Sequence, residues 1–319
     1  MSEKKDFFKK DFISINDYST EQVNYILKNA EKIQKNPEKY NQKMSGKIMM
    51  PLFFENSSRT TLSFQTAMIK MNGVCLDFDL ERSSIKKGET LKDTIKTIEQ
   101  YEPDVIVIRH KKDGAAKLAA DTTYIPVINA GDGKNQHPTQ TLLDLYTIKQ
   151  VRGELDNTQI TIAGDLKYGR CPHSLAIALS RYKNIYINFV SPETLKMPKD
   201  LLKNLKEKKV IYKECELKEL EKAIKKSDIL YMTRIQRERF PKGIEGESEY
   251  EKISKTYCLK PEMLKGVKET LKIMHPLPKV FEIHPEIDKG KHAHYFTQAK
   301  NGVYVRKSLL DLILWKNKE

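Results

Sequence analysis

The sequence predicts an α/β protein built from two open parallel sheets flanked by helices, and three observations carry that reading. The chain has 319 residues, too many for one small core and suited to two domains of roughly 150 residues each. Apolar, β-rich runs alternate with helical stretches nearly throughout. Several of those runs, such as VIVI before Arg109, are continuously apolar, as strands buried on both faces of a parallel sheet are.

Taken in order, the predicted strands are 47–54, 74–79, 104–110, 126–131, 160–165, 186–191, 210–214, 228–233 and 271–276. Helical patterns fall between them, for instance at 60–71, 89–101, 137–150 and 172–182. This is the βαβ rhythm of an open α/β fold. Gly153 and Asp156-Asn157 give a turn signal before a new strand, which places a domain boundary near residue 150. The last stretch, NGVYVRKSLLDLILW (301–315), has apolar residues at helical spacing and is expected to pack back on a domain.

Composition excludes several classes. The chain is 39% hydrophobic but has no apolar run of about 18 residues, so no membrane span is expected. The N-terminus, MSEKKDFFKKDF, mixes acids with lysines and lacks the apolar h-region of a signal peptide. Four cysteines at 75, 171, 215 and 258 show no metal-like C-x-x-C spacing, and a reducing cytoplasm is the simplest compartment. The formal net charge is +14, but lysines are interspersed with acids, as in KNLKEKKVIYKECELKELEKAIKK. That pattern is a solvated face rather than a nucleic-acid site, although the charge favours anionic small substrates by steering.

The chemistry gathers where strands give way to helices. FFENSSRTTLSFQTAMIKM sets Ser57, Ser58, Arg59, Thr60 and Thr61 at such a point. Serine and threonine are common helix caps. Equally, unpaired backbone N–H groups, the helix dipole and a forked cation make a phosphate site. VIVIRH puts Arg109 at a strand's carboxyl end, where it either reaches water or faces a ligand. GDGKNQHPTQTLLDLY opens a helix with His137, Pro138, Thr139 and Gln140. His137 there is a polar cap or a donor to a carbonyl oxygen. In the second half, GDLKYGRCPHS sets Arg170 on a loop after a strand, YMTRIQRER spaces Arg234 and Gln236 two apart, and HPLPK exposes backbone carbonyls through prolines that lack donors. Five strand ends in order thus carry arginine, histidine or exposed carbonyls, with no clustered acidic pair. The set suits a multiply anionic substrate handled without metal or cofactor.

FFENSSRTTLSF, KKGETLKDT, VIRH, NAGDGKNQHPTQTLLDLYTI, GDLKYGR, YMTRIQRER and HPLPK together resemble the aspartate carbamoyltransferase family, catalytic chain, over about residues 10 to 315. The resemblance implies a carbamoyltransferase fold and transfer of the carbamoyl group from carbamoyl phosphate to L-aspartate, the committed step of pyrimidine synthesis. It implies a carbamoyl-phosphate domain at 1–150, onto which helix 301–319 packs back, and an aspartate domain at 151–300. It also implies a homotrimer with shared sites, with a separate regulatory chain or pathway enzyme as a possible partner. Carried over by motif, Ser57, Ser58, Arg59 and Thr60 hold the phosphate, and Thr60, Arg109 and His137 polarise the carbamoyl oxygen. Gln140 and the backbone of Pro276 and Leu277 hold the carbamoyl amine. Arg170, Arg234 and Gln236 bind aspartate's carboxylates. Ser83, or Ser84 beside it, and Lys87 reach into the neighbouring subunit's site.

The chain departs from the family's pattern at three places. Thr61 stands where the family has a second arginine, Cys171 replaces a threonine, and Lys279 replaces the arginine of the His-Pro-Leu-Pro-Arg run. Two rival readings remain at this level. An ornithine carbamoyltransferase shares the first half but carries a cysteine where this chain has Pro276. A catalytically silent trimeric scaffold for a pathway partner is the other, opposed by the intact Arg59, Arg109, His137, Arg170 and Arg234.

Overall fold

The structure is a computed structural model that describes residues 7–79, 83–235 and 244–315. Its strands are β1 (Ile48–Phe53), β2 (Val74–Cys75), β3 (Val105–His110), β4 (Val127–Asp132), β5 (Gln159–Ala163), β6 (Tyr186–Val190), β7 (Ile211–Cys215), β8 (Ile229–Met232) and β9 (Lys272–Met274). They form two sheets, ordered β2-β1-β3-β4 and β7-β6-β5-β8-β9. Every pairing within both sheets is parallel. The α-helices are α1 (Thr20–Lys35), α2 (Ser58–Ile69), α3 (Leu91–Glu99), α4 (Ala115–Thr122), α5 (Pro138–Arg152), α6 (Arg170–Leu179), α7 (Lys199–Glu207), α8 (Leu220–Ile224), α9 (Ile244–Thr256) and α10 (Tyr295–Leu314). The chain divides into two compact units, residues 1–143 with 300–319, and residues 144–299.

The two-sided burial expected of parallel strands is present. All of β4 is buried, as are the first four residues of β3. In the first unit Met50, Leu52, Ile106, Ile108 and Val127 share a core with Ile95 and Ile98 of α3. In the second, Ala163, Val190, Leu230, Met232 and Ile273 pack with Tyr257 and Leu259.

One strand is shorter than its sequence suggests. The run 74–79 reads as six residues of strand, but β2 pairs only at Val74 and Cys75. Pro51 of β1 explains the stop. The carbonyls of Lys47 and Met49 face β2, accepting from Val74 N and Leu76 N. The carbonyl of Ile48 faces the other side and accepts from Asp104 N. By that alternation Pro51 is the next β1 residue turned towards β2, and it has no N–H to give. The ladder ends there.

Helix α10 is fixed to the first unit by buried polar contacts. Asn29 of α1 donates to Ser308 Oγ at 3.2 Å and to Asp311 Oδ2 at 3.1 Å, and Ser308 donates to the Ile26 carbonyl at 2.8 Å. Arg306 donates to Ser63 Oγ at 3.0 Å and lies over the Phe64 ring. Removing Asn29 leaves a buried carboxylate short of a donor. Asn29→Ala is therefore expected to lower unfolding free energy by about 1–3 kcal/mol. Lys35→Ala, which removes only the exposed pair with Glu31, is expected to cost less than about 1 kcal/mol. Denaturant melts of the two variants side by side check the contrast.

Candidate active site

In the first unit the carboxyl ends of β1, β3 and β4 lie side by side, because the strands are parallel neighbours with Phe53 beside Arg109 and His110 beside Asp132. Ligands of open α/β sheets bind at such an edge. The turn from β1 into α2 brings Ser57 to the N-cap, and Ser58, Arg59 and Thr60 form the first turn. Ser58 and Arg59 are exposed, while Thr60 is buried.

The cap itself separates the two readings of this stretch. Ser19, at the start of α1, accepts from Gln22 N, and Thr90, at the start of α3, accepts from Asp93 N. The Ser57 side chain makes no such bond. Its hydroxyl is not spent on closing the helix, and the first-turn N–H groups of α2 stay available to an anion. Thr61, where the family pattern has a second arginine, turns its hydroxyl back to the Ser57 carbonyl at 2.8 Å. Although Arg59 is exposed, protein atoms around its head displace part of its water and lower the guanidinium from its ordinary value, yet an arginine stays charged throughout the physiological range.

Arg109 is the penultimate residue of β3, with its side chain 11% exposed. Nη1 donates to the Ala130 carbonyl at 3.2 Å and Nη2 pairs with Glu55 at 3.0 Å. These contacts hold the guanidinium across the ends of the three strands. His137 is buried, and its carbonyl accepts the first bonds of α5, from Gln140 N and Thr141 N. Gln140, one turn in, is buried too.

Asp132 pins the loop that delivers His137, a residue the motif reading passed over. Its buried carboxylate accepts from Asn129 Nδ2 (3.0 Å), Gln136 N (3.2 Å), Gly114 N (2.9 Å) and Asn135 Nδ2 (3.1 Å). The signal in the sequence is the Asn-Ala-Gly-Asp-Gly run, a polar turn placed directly after an apolar strand.

In the second unit β5, β8 and β9 are neighbours, and their carboxyl ends lead to Arg170, Arg234 and Pro276-Leu277 respectively. Arg170 is the first residue of α6 rather than part of the preceding loop, and it is half-buried. The N-cap there is Gly169, which offers no side chain. Gly164, at the end of β5, has φ +123°, and a Cβ on it would meet Thr233 Oγ1 at 2.4 Å, so the close approach of the two chains requires glycine. The buried Tyr257 hydroxyl spans the carbonyls of Ala163 (2.8 Å) and Thr233 (2.9 Å). It ties together the strand ends that lead to Arg170 and Arg234.

Gln236 lies outside the described residues. Cys171 is half-buried next to Arg170, and Lys279 pairs with Asp288 at 3.0 Å. Ser83 is half-buried, and Lys87 is exposed at the end of the 3-10 turn Ser84–Lys87. That turn lies on the chain between β2 and α3. Among the described residues no group of three or more His, Cys, Asp or Glu is arranged to hold a metal ion.

Two profiles match this chain. Residues 10–150 match the carbamoyl-P binding domain, and residues 156–313 the Asp/Orn binding domain, of aspartate/ornithine carbamoyltransferase. The chain belongs to the aspartate/ornithine carbamoyltransferase family. Among its relatives, the aspartate carbamoyltransferase catalytic subunit of Thermococcus kodakarensis is 55% identical, over 96% of this chain and 97% of that one. That of Clostridium perfringens is 47% identical, over 96% and 98%. Among solved structures, the aspartate transcarbamoylase of Trypanosoma cruzi in complex with N-(phosphonacetyl)-L-aspartic acid superposes with a TM-score of 0.90. It is 35% identical over 97% of each chain. The catalytic subunit of M. jannaschii aspartate transcarbamoylase has a TM-score of 0.87 and 44% identity, over 95% of this chain and 97% of that one.

The capping difference has a measurable consequence. Ser19→Ala is expected to lose about 1 kcal/mol of stability, the usual cost of a removed cap. Ser57→Ala is expected to stay within about 0.5 kcal/mol of the parent. Equal losses in thermal or denaturant unfolding would return Ser57 to the role of an ordinary cap.

Proposed function

We propose that this chain transfers the carbamoyl group of carbamoyl phosphate to the amine of L-aspartate, giving N-carbamoyl-L-aspartate and phosphate, the committed step of de novo pyrimidine biosynthesis. The observation that carries the reading is the uncapped start of α2, with Arg59 in its first turn, in a chain matched almost end to end by aspartate carbamoyltransferases. Ser57, Ser58, Arg59 and Thr60 hold the phosphate. Thr60, Arg109 and His137 donate to the carbamoyl oxygen, while Gln140 and the carbonyls of Pro276 and Leu277 accept from the carbamoyl amine. Arg170, Arg234 and Gln236 take aspartate's two carboxylates. The first unit is thus the carbamoyl-phosphate half and the second the aspartate half.

The chemistry asks for little beyond this. The aspartate nitrogen forms a bond to the carbamoyl carbon, the carbon–oxygen bond to phosphate breaks, and the amine's proton leaves with the phosphate. Positioning two anions, and donors aimed at the oxygen that gains charge, supply the acceleration. The side chains assigned above do this without a cofactor. Aspartate is favoured over ornithine as the acceptor because Pro276 replaces the cysteine of the ornithine enzymes and because Arg234 with Gln236 suits a second carboxylate.

Initial rates with carbamoyl phosphate and either aspartate or ornithine test the assignment. Turnover is expected with aspartate, and Arg59→Ala is expected to lower it roughly 10²–10³-fold, as loss of one preorganised donor does. Preference for ornithine, or near-normal turnover in the variant, would overturn it.

The working form is a homotrimer in which Ser83 and Lys87 complete the neighbouring subunit's site. The exposure of Lys87 supports this. The relatives' designation as catalytic subunits supports a separate regulatory chain or pathway enzyme as a further partner. Four free cysteines are in keeping with a cytoplasmic setting. Mixing tests the shared site. Arg59→Ala and Lys87→Ala chains are dissociated, combined equally and reassembled. Every mixed ring then contains one site with both residues intact, and about a quarter of all sites regain the parental pair in a cyclic trimer. Activity should climb from near zero towards that fraction. A mixture no more active than its parents, with hybrid rings confirmed by mass, would refute sharing.

A further inference from the structure

The turn after β9 carries Pro276 and Leu277, and its backbone is held in an uncommon shape. Leu277 has φ +58°, a left-handed conformation that costs a side-chain-bearing residue about 1 kcal/mol or more. Such a conformation persists only where its surroundings impose it.

His275 imposes it from within. The Leu277 N–H donates to His275 Nδ1 at 2.8 Å. A donor facing Nδ1 requires a lone pair there, so the ring proton sits on Nε2 and the imidazole is neutral. Nε2 in turn donates to Glu282 Oε1 at 2.9 Å. The second Glu282 oxygen accepts from Val280 N (3.2 Å) and Phe281 N (3.1 Å). One carboxylate therefore clasps both ends of the turn.

The same turn is anchored from behind. His275 N donates to Gln298 Oε1 at 2.8 Å, and Gln298 Nε2 donates to Asp144 Oδ1 at 2.7 Å. Asp144 Oδ2 accepts from the Tyr231 hydroxyl at 2.8 Å. All five side chains are no more than 2% exposed. A buried polar network of this kind is costly unless every member is satisfied, and then it fixes one geometry. The mechanism above uses none of these side chains directly.

We propose that His275 and Glu282 are positioning residues that set the Pro276 and Leu277 carbonyls as fixed acceptors for the amine of the carbamoyl group. The inference rests on the functional reading above, which assigns those carbonyls to that amine. The pair makes no contact with substrate and acts through the backbone between them. Its contribution is selectivity: it favours an acyl phosphate that bears an N–H₂ group over phosphate alone.

Binding of carbamoyl phosphate and of inorganic phosphate, measured by calorimetry on the full chain, tests this. His275→Ala is expected to weaken carbamoyl phosphate binding about 10-fold, the effect of one lost and misaligned hydrogen-bonding group. It should leave phosphate binding unchanged, because inorganic phosphate has no amine. His275→Asn, whose side-chain oxygen can accept the Leu277 N–H, is expected to recover part of the loss. Glu282→Gln, which leaves an oxygen for the imidazole N–H but not two, is expected to show the same selective loss and serves if His275→Ala does not fold. Equal weakening of both ligands, no weakening of either, or an asparagine variant no better than alanine overturns the positioning role. Parent protein that fails to carbamoylate aspartate would instead overturn the functional reading itself.

Discussion

Arg59 and Arg170 each stand in the first turn of a helix, the end at which the backbone dipole is already positive. A cation at such an end is unfavourable by about 0.3–1 kcal/mol in the absence of a neighbouring anion. Neither helix uses a side chain to close its first turn, Ser57 because its hydroxyl makes no capping bond and Gly169 because it has none to offer. Elsewhere in the chain Ser14, Ser19 and Thr90 cap in the ordinary way. Helix α7, which starts on Lys199 after Pro198, is uncapped as well, so what sets α2 and α6 apart is that each follows the carboxyl end of a central parallel strand, β1 and β5. Within each unit the sheet sets where its helix start lies.

Delivery depends on parallel pairing. Parallel strands leave every carboxyl end on one edge, so residues far apart in sequence arrive together without long loops. Phe53 and Arg109 are register partners although more than fifty positions separate them. Pro51 contributes by omission. It withholds the N–H that would extend the pairing with β2, and the chain after Cys75 leaves the sheet early. After the Leu76 N–H bond to Met49, residues 77–79 make no further pairing with β1 on the way to the segment that carries Ser83 and Lys87.

In each unit a buried carboxylate fixes a turn at the carboxyl end of the sheet. Asp132 gathers four donors and sets the loop before His137. Glu282 holds His275 and the far end of the turn that carries Pro276 and Leu277. A desolvated carboxylate tolerates burial only with its lone pairs met, so each of these turns is held in one arrangement rather than several. The backbone of these turns is thereby as well fixed as any side chain packed in the core.

The sequence by itself determined the strand–turn–helix order and the residue types at the turns. Apolar period and turn chemistry are local, and they are written in consecutive residues such as VIVIRH and HPLPK. It also carried the family, since NQHPTQTLLDLY and GDLKYGR are long, specific strings. The sequence reading places no helix at Thr20–Lys35, although the structure shows one there closed by a Ser19–Gln22 capping box. Tertiary structure decided what those residues do. Nothing in NSSRTT says whether Ser57 caps or stays uncommitted, because a cap depends on the angle at which the chain enters the helix. Arg170 reads as a loop residue until α6 is seen to begin on it. His275 and Glu282 are seven residues apart, a spacing with no local meaning, and only a turn closing on itself in a dry interior makes them partners. Periodicity reports which residues are buried, whereas hydrogen-bond partners at a turn are set by how distant strands and helices converge around it.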